Sequence, residues 1–266
     1  MSRLAILAGS GALPQRLSDA RTDAILISFA GVPHALGPKT QEHSFEKMGA
    51  LFDALKAQGV REVVMAGAMS RPPLNPNAFD DVMTALAPRL IVAMQGGDDA
   101  LLRLVIAIFE EQGFTVRGAH EIDPSLTANA GTLVGTVLSG THEKDAKRGF
   151  EILNALSPLD VGQGVVVENG LCLGIETLQG TDALLDFVAR SPKHLRKLGG
   201  VFIKAPKRDQ DLRVDMPTIG PDTVKAVSAA GLSCIVIEAG SVIVLSKDDV
   251  VTAANSAGIS LIALDI

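Results

Sequence analysis

Tryptophan and tyrosine are absent from this 266-residue chain, and phenylalanine occurs nine times. The core must therefore be aliphatic, and a ring platform for stacking the bases of single-stranded nucleic acid is not expected. Positive charge is also short: 24 Lys and Arg face 30 Asp and Glu, a net charge of −6, which argues against a general nucleic-acid partner. Cysteine is limited to Cys172 and Cys234, each in an apolar strand-like run. That usage suits buried thiols in a reducing cytosol and offers no disulfide framework. The first apolar run, Leu4–Ala8, is too short for a signal peptide, and the longest apolar windows fall far short of a membrane span. A soluble cytoplasmic protein is expected.

Several catalytic signatures are missing too. His34, His43, His120, His142 and His194 are scattered, with no pair at helical or hairpin ligand spacing, so a local zinc site is not expected. No Gly-x-Ser-x-Gly elbow is present. No Gly-Lys-Ser/Thr follows a glycine-rich loop, which excludes a P-loop NTPase.

What is present is an alternation of short aliphatic runs and amphipathic segments. Leu4–Ala8, Ala24–Phe29 and Glu62–Ala66 read as strands, with helices over Pro14–Ala20 and Phe45–Gln58 between them. This order predicts a Rossmann-like parallel sheet covered by helices. Helices over Ala78–Ala93 and Asp99–Gln112 follow a Pro-rich loop, and Phe114–Arg117 reads as a further strand. The periodicity weakens near residues 125–140, which places the boundary between a nucleotide-binding domain, 1–130, and a second α/β domain, 131–266. In the second half, Gly164–Glu168 and Leu171–Ile175 read as a hairpin across Asn169-Gly170, a favoured two-residue turn. Helices are expected over Glu143–Leu156, Asp182–Ala189, Pro221–Ala230 and Lys247–Ala257. Strands are expected over Val201–Lys204, Ser233–Ile237, Val242–Leu245 and Ser260–Leu264.

Three features suggest chemistry. Gly9-Ser10-Gly11-Ala12 links the first strand to the first helix, where small residues let the backbone approach an anionic or nucleotide ligand. Pro14 falls where the dinucleotide fingerprint needs a third glycine, and Ser28-Phe29-Ala30-Gly31 lacks the ribose-binding acid, so NAD use is not expected. Gly97-Asp98-Asp99-Ala100-Leu101-Leu102 is echoed by Gly180-Thr181-Asp182-Ala183-Leu184-Leu185. Both segments open helices, either as simple N-caps or as paired N-termini facing a ligand. Finally, seven of the twelve residues Lys204–Asp215 are charged. If this stretch is extended, Asp209, Asp211, Arg213 and Asp215 share one face, and three acids there require a cation or the neighbouring bases. Such a stretch is either a solvated, self-neutralised loop or a metal-assisted phosphoryl-transfer site using Mg²⁺ or Mn²⁺.

The chain resembles the UDP-2,3-diacylglucosamine pyrophosphatases of lipid A biosynthesis, of the type without a calcineurin-like fold. The resemblance is carried by Leu7-Ala-Gly-Ser-Gly-Ala-Leu-Pro14, Gly97-Asp-Asp-Ala-Leu-Leu-Arg103 and Glu176-Thr-Leu-Gln-Gly-Thr-Asp-Ala183. It continues in Gln210-Asp-Leu-Arg-Val-Asp-Met-Pro-Thr-Ile-Gly220, Ala230-Gly-Leu232 and Glu238-Ala-Gly240, and so covers nearly the whole chain. It implies a two-domain, Mg²⁺-dependent hydrolase with its active site in the interdomain cleft. The products implied are UMP and 2,3-diacylglucosamine 1-phosphate, with water attacking the sugar-side phosphorus. The catalytic acid would lie in the Gln210-Asp211-x-Arg213-x-Asp215 block, with Asp211 or Asp215 holding Mg²⁺ (or Mn²⁺) or orienting the water. Lys204, Lys207 and Arg213 would contact phosphate oxygens, while the helix starts at Asp98-Asp99 and Thr181-Asp182 would bind the nucleotide or sugar hydroxyls. Glu238 is either a further ligand or a strand-end cap. Arg208-Asp209 adds charge to the block, and Ser10 stands where a third glycine is common. The helices around Leu86–Met94 and Leu101–Phe109 are candidates for an acyl trough, with core packing the main role of most of their residues. The partners implied are a lipid-linked nucleotide sugar and, transiently, the inner membrane surface; a homodimer is compatible. The alternative is a non-catalytic nucleotide-sugar sensor.

Overall fold

The computed structural model of the chain describes residues 2–69, 73–96, 98–138, 140–197 and 199–266, without the side chains of Asp98 and Lys193. The chain forms two compact units. One comprises the residues up to Pro124 together with Asp211–Asp215, and the other comprises Ser125–Gln210 and Met216–Ile266.

The first unit runs β1 (Arg3–Ala8), α1 (Leu13–Ala20), β2 (Ile25–Phe29), β3 (Gln41–His43), α2 (Met48–Ala57), β4 (Val60–Ala66), α3 (Asp81–Gln95), α4 (Asp98–Glu111), β5 (Thr115–Arg117) and α5 (Ala119–Ile122). Its strands form one sheet in the order β3-β2-β1-β4-β5, parallel throughout. The aliphatic runs that suggested strands are the buried ones, since Leu4 through Ala8 are at most 2% exposed. On one face Ala5, Leu7, Ile27 and Val63 meet Leu51, Phe52 and Leu55 of α2 and Phe109 of α4. Phe52 and Phe109 pack edge to face at 5.3 Å. The helix expected from residue 45 begins as a 3₁₀ turn over Phe45–Lys47, and α3 starts at Asp81 because the Asp80 carboxylate caps the Met83 N–H.

The second unit runs β6 (Gly131–Val134), α6 (Gly140–Leu156), β7 (Gly164–Glu168), β8 (Leu171–Ile175), α7 (Gly180–Ala189), β9 (Val201–Lys204), β10 (Thr218–Ile219), α8 (Pro221–Ala229), β11 (Cys234–Glu238), β12 (Ile243–Val244), α9 (Lys247–Ala257) and β13 (Ser260–Leu264). The six-stranded sheet has the order β6-β13-β11-β9-β7-β8, with β9, β11 and β13 parallel and β6, β7 and β8 paired antiparallel. Successive side chains point to opposite faces. Val166, Phe202, Ile235 and Leu261 therefore meet α7, α8 and α9, while Val165, Ile203, Val236 and Ile262 meet Phe150 and Leu153 of α6. The hairpin turn has Asn169 at φ 50° and Gly170 at φ 78°, and buried Asp145 accepts from both of their N–H groups at 2.8 and 2.7 Å.

One expectation about the thiols is corrected. Cys234 is buried, and desolvation pushes its thiol up to about 12. Cys172 is exposed, because β8 is the edge strand of its sheet.

Candidate active site

In the first unit strands are added outward from β1 to β3 and then, on the other side of β1, from β4 to β5. Ligands of open α/β sheets bind at such a reversal, outside the carboxyl ends of the strands. Here it brings the Gly9–Ala12 loop against the residues after β4. Gly9 and Ser10 donate their N–H groups to Ala66 and Ala68 at 2.7 and 2.8 Å, and Ala68 donates back to Ser10 at 3.0 Å. A Cβ on Gly9 would lie 2.4 Å from the Ala68 oxygen, so glycine is required for this approach. The Gly9 and Ser10 amides thus point into the fold. Gly11, at φ 94°, and Ala12, the residue preceding α1, form the outer part of the loop.

Beside this reversal lies a cavity of about 650 Å³. Its wall includes Ala68, bonded to Ser10, and Leu86, Leu90, Leu101 and Val105 from the two helices named as trough candidates. Five of the seven methionines, Met48, Met65, Met69, Met83 and Met94, also line it. Their unbranched thioethers adapt to irregular apolar shapes. Among the described residues a single ionisable side chain belongs to the lining, that of Asp215.

The charged stretch is not extended. It turns at Asp209, whose φ is 61°, and again over Asp211–Asp215, where the Asp215 N–H approaches the Asp211 carbonyl at 3.4 Å. The carboxylate of Asp211 accepts from the Arg213 backbone N–H at 3.1 Å and from the guanidinium through Nε at 2.9 Å and Nη2 at 2.7 Å. Arg213 Nη1 donates to Glu110 of α4 at 2.7 Å. Hydrogen bonding to Arg213 holds the Asp211 carboxyl below the usual carboxylate range despite partial burial, with Arg103 contributing its charge. The same bonds, to Asp211 first and then to Glu110, raise the Arg213 pKa. Asp99 lies on α4 and accepts from Arg103 at 2.7 Å; the Asp98 side chain lies outside the described residues.

The second unit holds the remaining candidates. Lys204 ends β9, is 3% exposed, and donates to Glu176 Oε2 at 2.6 Å and Thr181 Oγ1 at 2.7 Å. A cation this deep must be paired. Glycine at 164, opposite Lys204 on β7, leaves room for the Glu176 carboxylate, which a Cβ there would meet at 2.4 Å. Thr181 and exposed Asp182 stand in the first turn of α7. Glu238 ends the neighbouring strand β11, one residue beyond Ile237, the partner of Lys204. Burial holds its carboxyl above the ordinary value, against an opposing hydrogen bond from Ser241. Lys207 pairs with Asp160, and Gln210 Oε1 accepts from the Lys207 N–H at 2.9 Å.

The expected metal finds no preformed cage. Among the described residues no group of three or more His, Cys, Asp and Glu side chains gathers as a ligand set, and Asp211 already holds a guanidinium. Glu110 and the Gly67-Ala68 end of β4 were not singled out from sequence. Glu110 carries no signal that names its partner, whereas small residues directly after the apolar run of β4 were a readable one.

Two family models cover the chain: the LpxI N-terminal domain matches residues 3–126 and the LpxI C-terminal domain matches residues 129–262. The curated UDP-2,3-diacylglucosamine pyrophosphatase LpxI of Caulobacter vibrioides is 38% identical over 276 aligned positions, which span 100% of this chain and 98% of that protein.

Proposed function

The chain belongs to the LpxI family, and from that membership and the site's geometry we propose that it hydrolyses the diphosphate of UDP-2,3-diacylglucosamine in lipid A biosynthesis. The products are UMP and 2,3-diacylglucosamine 1-phosphate. The observation that carries this reading is the apolar cavity whose described lining residues include one carboxylate, Asp215. An amphiphile with acyl chains beside an anionic head suits that arrangement. The acyl chains occupy the cavity, and Asp215 orients and deprotonates the water that attacks the sugar-side phosphorus. Arg213, fixed by Asp211, neutralises phosphate oxygens as charge develops on the leaving UMP.

Lys204, Lys207, Gln210, the outer glycine loop, the two helix starts and Glu238 are retained as candidate contacts to the phosphates, nucleotide and sugar. Lys204 reaches a phosphate only by exchanging its bonds to Glu176 and Thr181. Among the described residues no set of three or more ligands gathers, so Mg²⁺ or Mn²⁺ would accompany the substrate diphosphate, with Asp211 or Asp215 as its protein ligand.

A lipid substrate also implies transient contact with the inner membrane surface. No helix among the described residues is long and apolar enough to cross a membrane. Ile91 and Val92 are 59% and 69% exposed on α3, whose Leu86, Leu90 and Met94 line the cavity, and they would meet the lipid surface. Cytoplasmic residence and a homodimer complete the proposal.

The test is to incubate the full chain with UDP-2,3-diacylglucosamine across Mg²⁺ and Mn²⁺ concentrations and with EDTA. UMP release that EDTA suppresses supports hydrolysis with a metal-accompanied diphosphate. Binding without UMP release at every metal concentration would instead indicate a nucleotide-sugar sensor.

A further inference from the structure

We propose that Glu110 is a positioning residue for the reaction: it clamps Arg213 and thereby fixes the Asp211–Asp215 turn against the first unit. Glu110 lies in the last turn of α4, whose sequence places Glu110 and Glu111 where the helix dipole disfavours acids and where no basic residue of the helix offsets them. Each acid is neutralised by an arginine from another element. Glu111 takes Arg89 of α3 through two bonds at 2.7 and 2.8 Å, and Glu110 takes Arg213 at 2.7 Å. The Arg213 guanidinium thus lies between Asp211, on its own turn, and Glu110, 103 positions away in sequence.

Two further contacts define the same seat. Gly118, directly after β5, has the Arg213 Cα 3.4 Å from where a Cβ would stand. Val214 packs against the first unit's core. With Arg213 and Val214 seated, Asp215 reaches the cavity lining. At about 100° per residue, Asp99, Arg103 and Glu110 share one face of α4, well separated from Leu101, Val105 and Ile108. The latter three line the cavity. One helix therefore supplies both the apolar wall and the electrostatic seat for the turn that carries the acid.

This inference rests on the hydrolase reading for its kinetic consequence, and an activity-independent readout separates the two. Glu110→Ala in the full chain should lower kcat by about tenfold to a hundredfold, the upper end being the scale of a catalytic group misplaced by about 1 Å, with KM within about twofold. Hydrogen exchange at the Arg213, Val214 and Asp215 amides should accelerate about tenfold, while Glu111→Ala leaves exchange there at the wild-type rate. A kcat within about twofold of wild type, or unchanged exchange in Glu110→Ala, would overturn the proposal. If the wild-type chain releases no UMP, the hydrolase reading fails, and exchange alone still decides whether Glu110 seats the turn.

Discussion

Both carboxylate oxygens of Asp211 accept from the guanidinium of Arg213, two residues further along the same turn. Asp215, by contrast, belongs to the lining of the apolar cavity. The two acids that the sequence left equivalent therefore stand in different surroundings. Asp211 organises a cation, and in the proposed reaction Asp215 is the carboxylate that meets a substrate in the cavity.

Asp211→Asn should accordingly behave as an organisational lesion. Turnover should fall by about tenfold to a hundredfold, as expected when a charged group is displaced but not removed. Asp209→Ala should stay within about twofold of wild type, because Asp209 shapes a neighbouring turn. Steady-state UMP release measured for both variants checks this order; a larger loss at Asp209 would reverse the assignment.

Acid should weaken the Asp211 contribution with a defined sign. Its folded-state pKa lies below the ordinary carboxylate value because Arg213 bonds the charged form. Its stabilisation is therefore present above the unfolded value of about 3.9 and is lost as pH falls through the folded value. Denaturant melts of wild type and Asp211→Asn should differ most at pH 5 and above, begin to converge below about pH 4, and meet only once pH has fallen through the lower folded value.

The Lys204–Glu176 pair should matter to folding whatever its catalytic role. Its side chains are 4% and 12% exposed, so Lys204→Met leaves Glu176 with a desolvated charge. Breaking such a pair costs about 3–5 kcal/mol. Lys204→Met with Glu176→Met should recover at least half of that loss, as read from urea midpoints. Equal loss in the single and double variants would show that packing, not the stranded charge, sets the cost.

The cavity makes a prediction about chain length. Val105 lines it, and Val105→Phe narrows it at an overpacking cost of about 1–3 kcal/mol. For a long-chain substrate kcat/KM should fall about tenfold or more. For a two-carbon acyl analogue it should change by less than about twofold. Parallel loss on both substrates would remove the acyl chains from this cavity.

Much of the fold was legible because its strands are aliphatic runs and its turns carry the required residues, as Leu4–Ala8 and Asn169-Gly170 illustrate. Elements without such patterns were not. β3, Gln41–His43, has no apolar alternation, and β6 opens on Gly131 and Thr132, both exposed. The charged block misled on conformation because Asp211 bonds the Arg213 backbone and guanidinium, a local preference that charge periodicity does not display. The helices around Leu86–Met94 and Leu101–Phe109 were trough candidates, but which of their residues line the cavity was not legible: Leu90 and Val105 read the same in sequence whether they fill a core or line a void. Glu110 was unreachable because two acids at a helix C-terminus call for a cation without saying which, and its partner is 103 positions away in the chain.

The central claim is hydrolysis at the sugar-side phosphorus with Asp215 as the acid that prepares the water. Its most direct test is hydrolysis of UDP-2,3-diacylglucosamine in ¹⁸O-water by wild type and Asp215→Asn, with substrate binding measured in parallel. The account predicts label in 2,3-diacylglucosamine 1-phosphate and none in UMP, and no turnover by Asp215→Asn despite retained binding. Label in UMP, or turnover by Asp215→Asn near the wild-type rate, would contradict it.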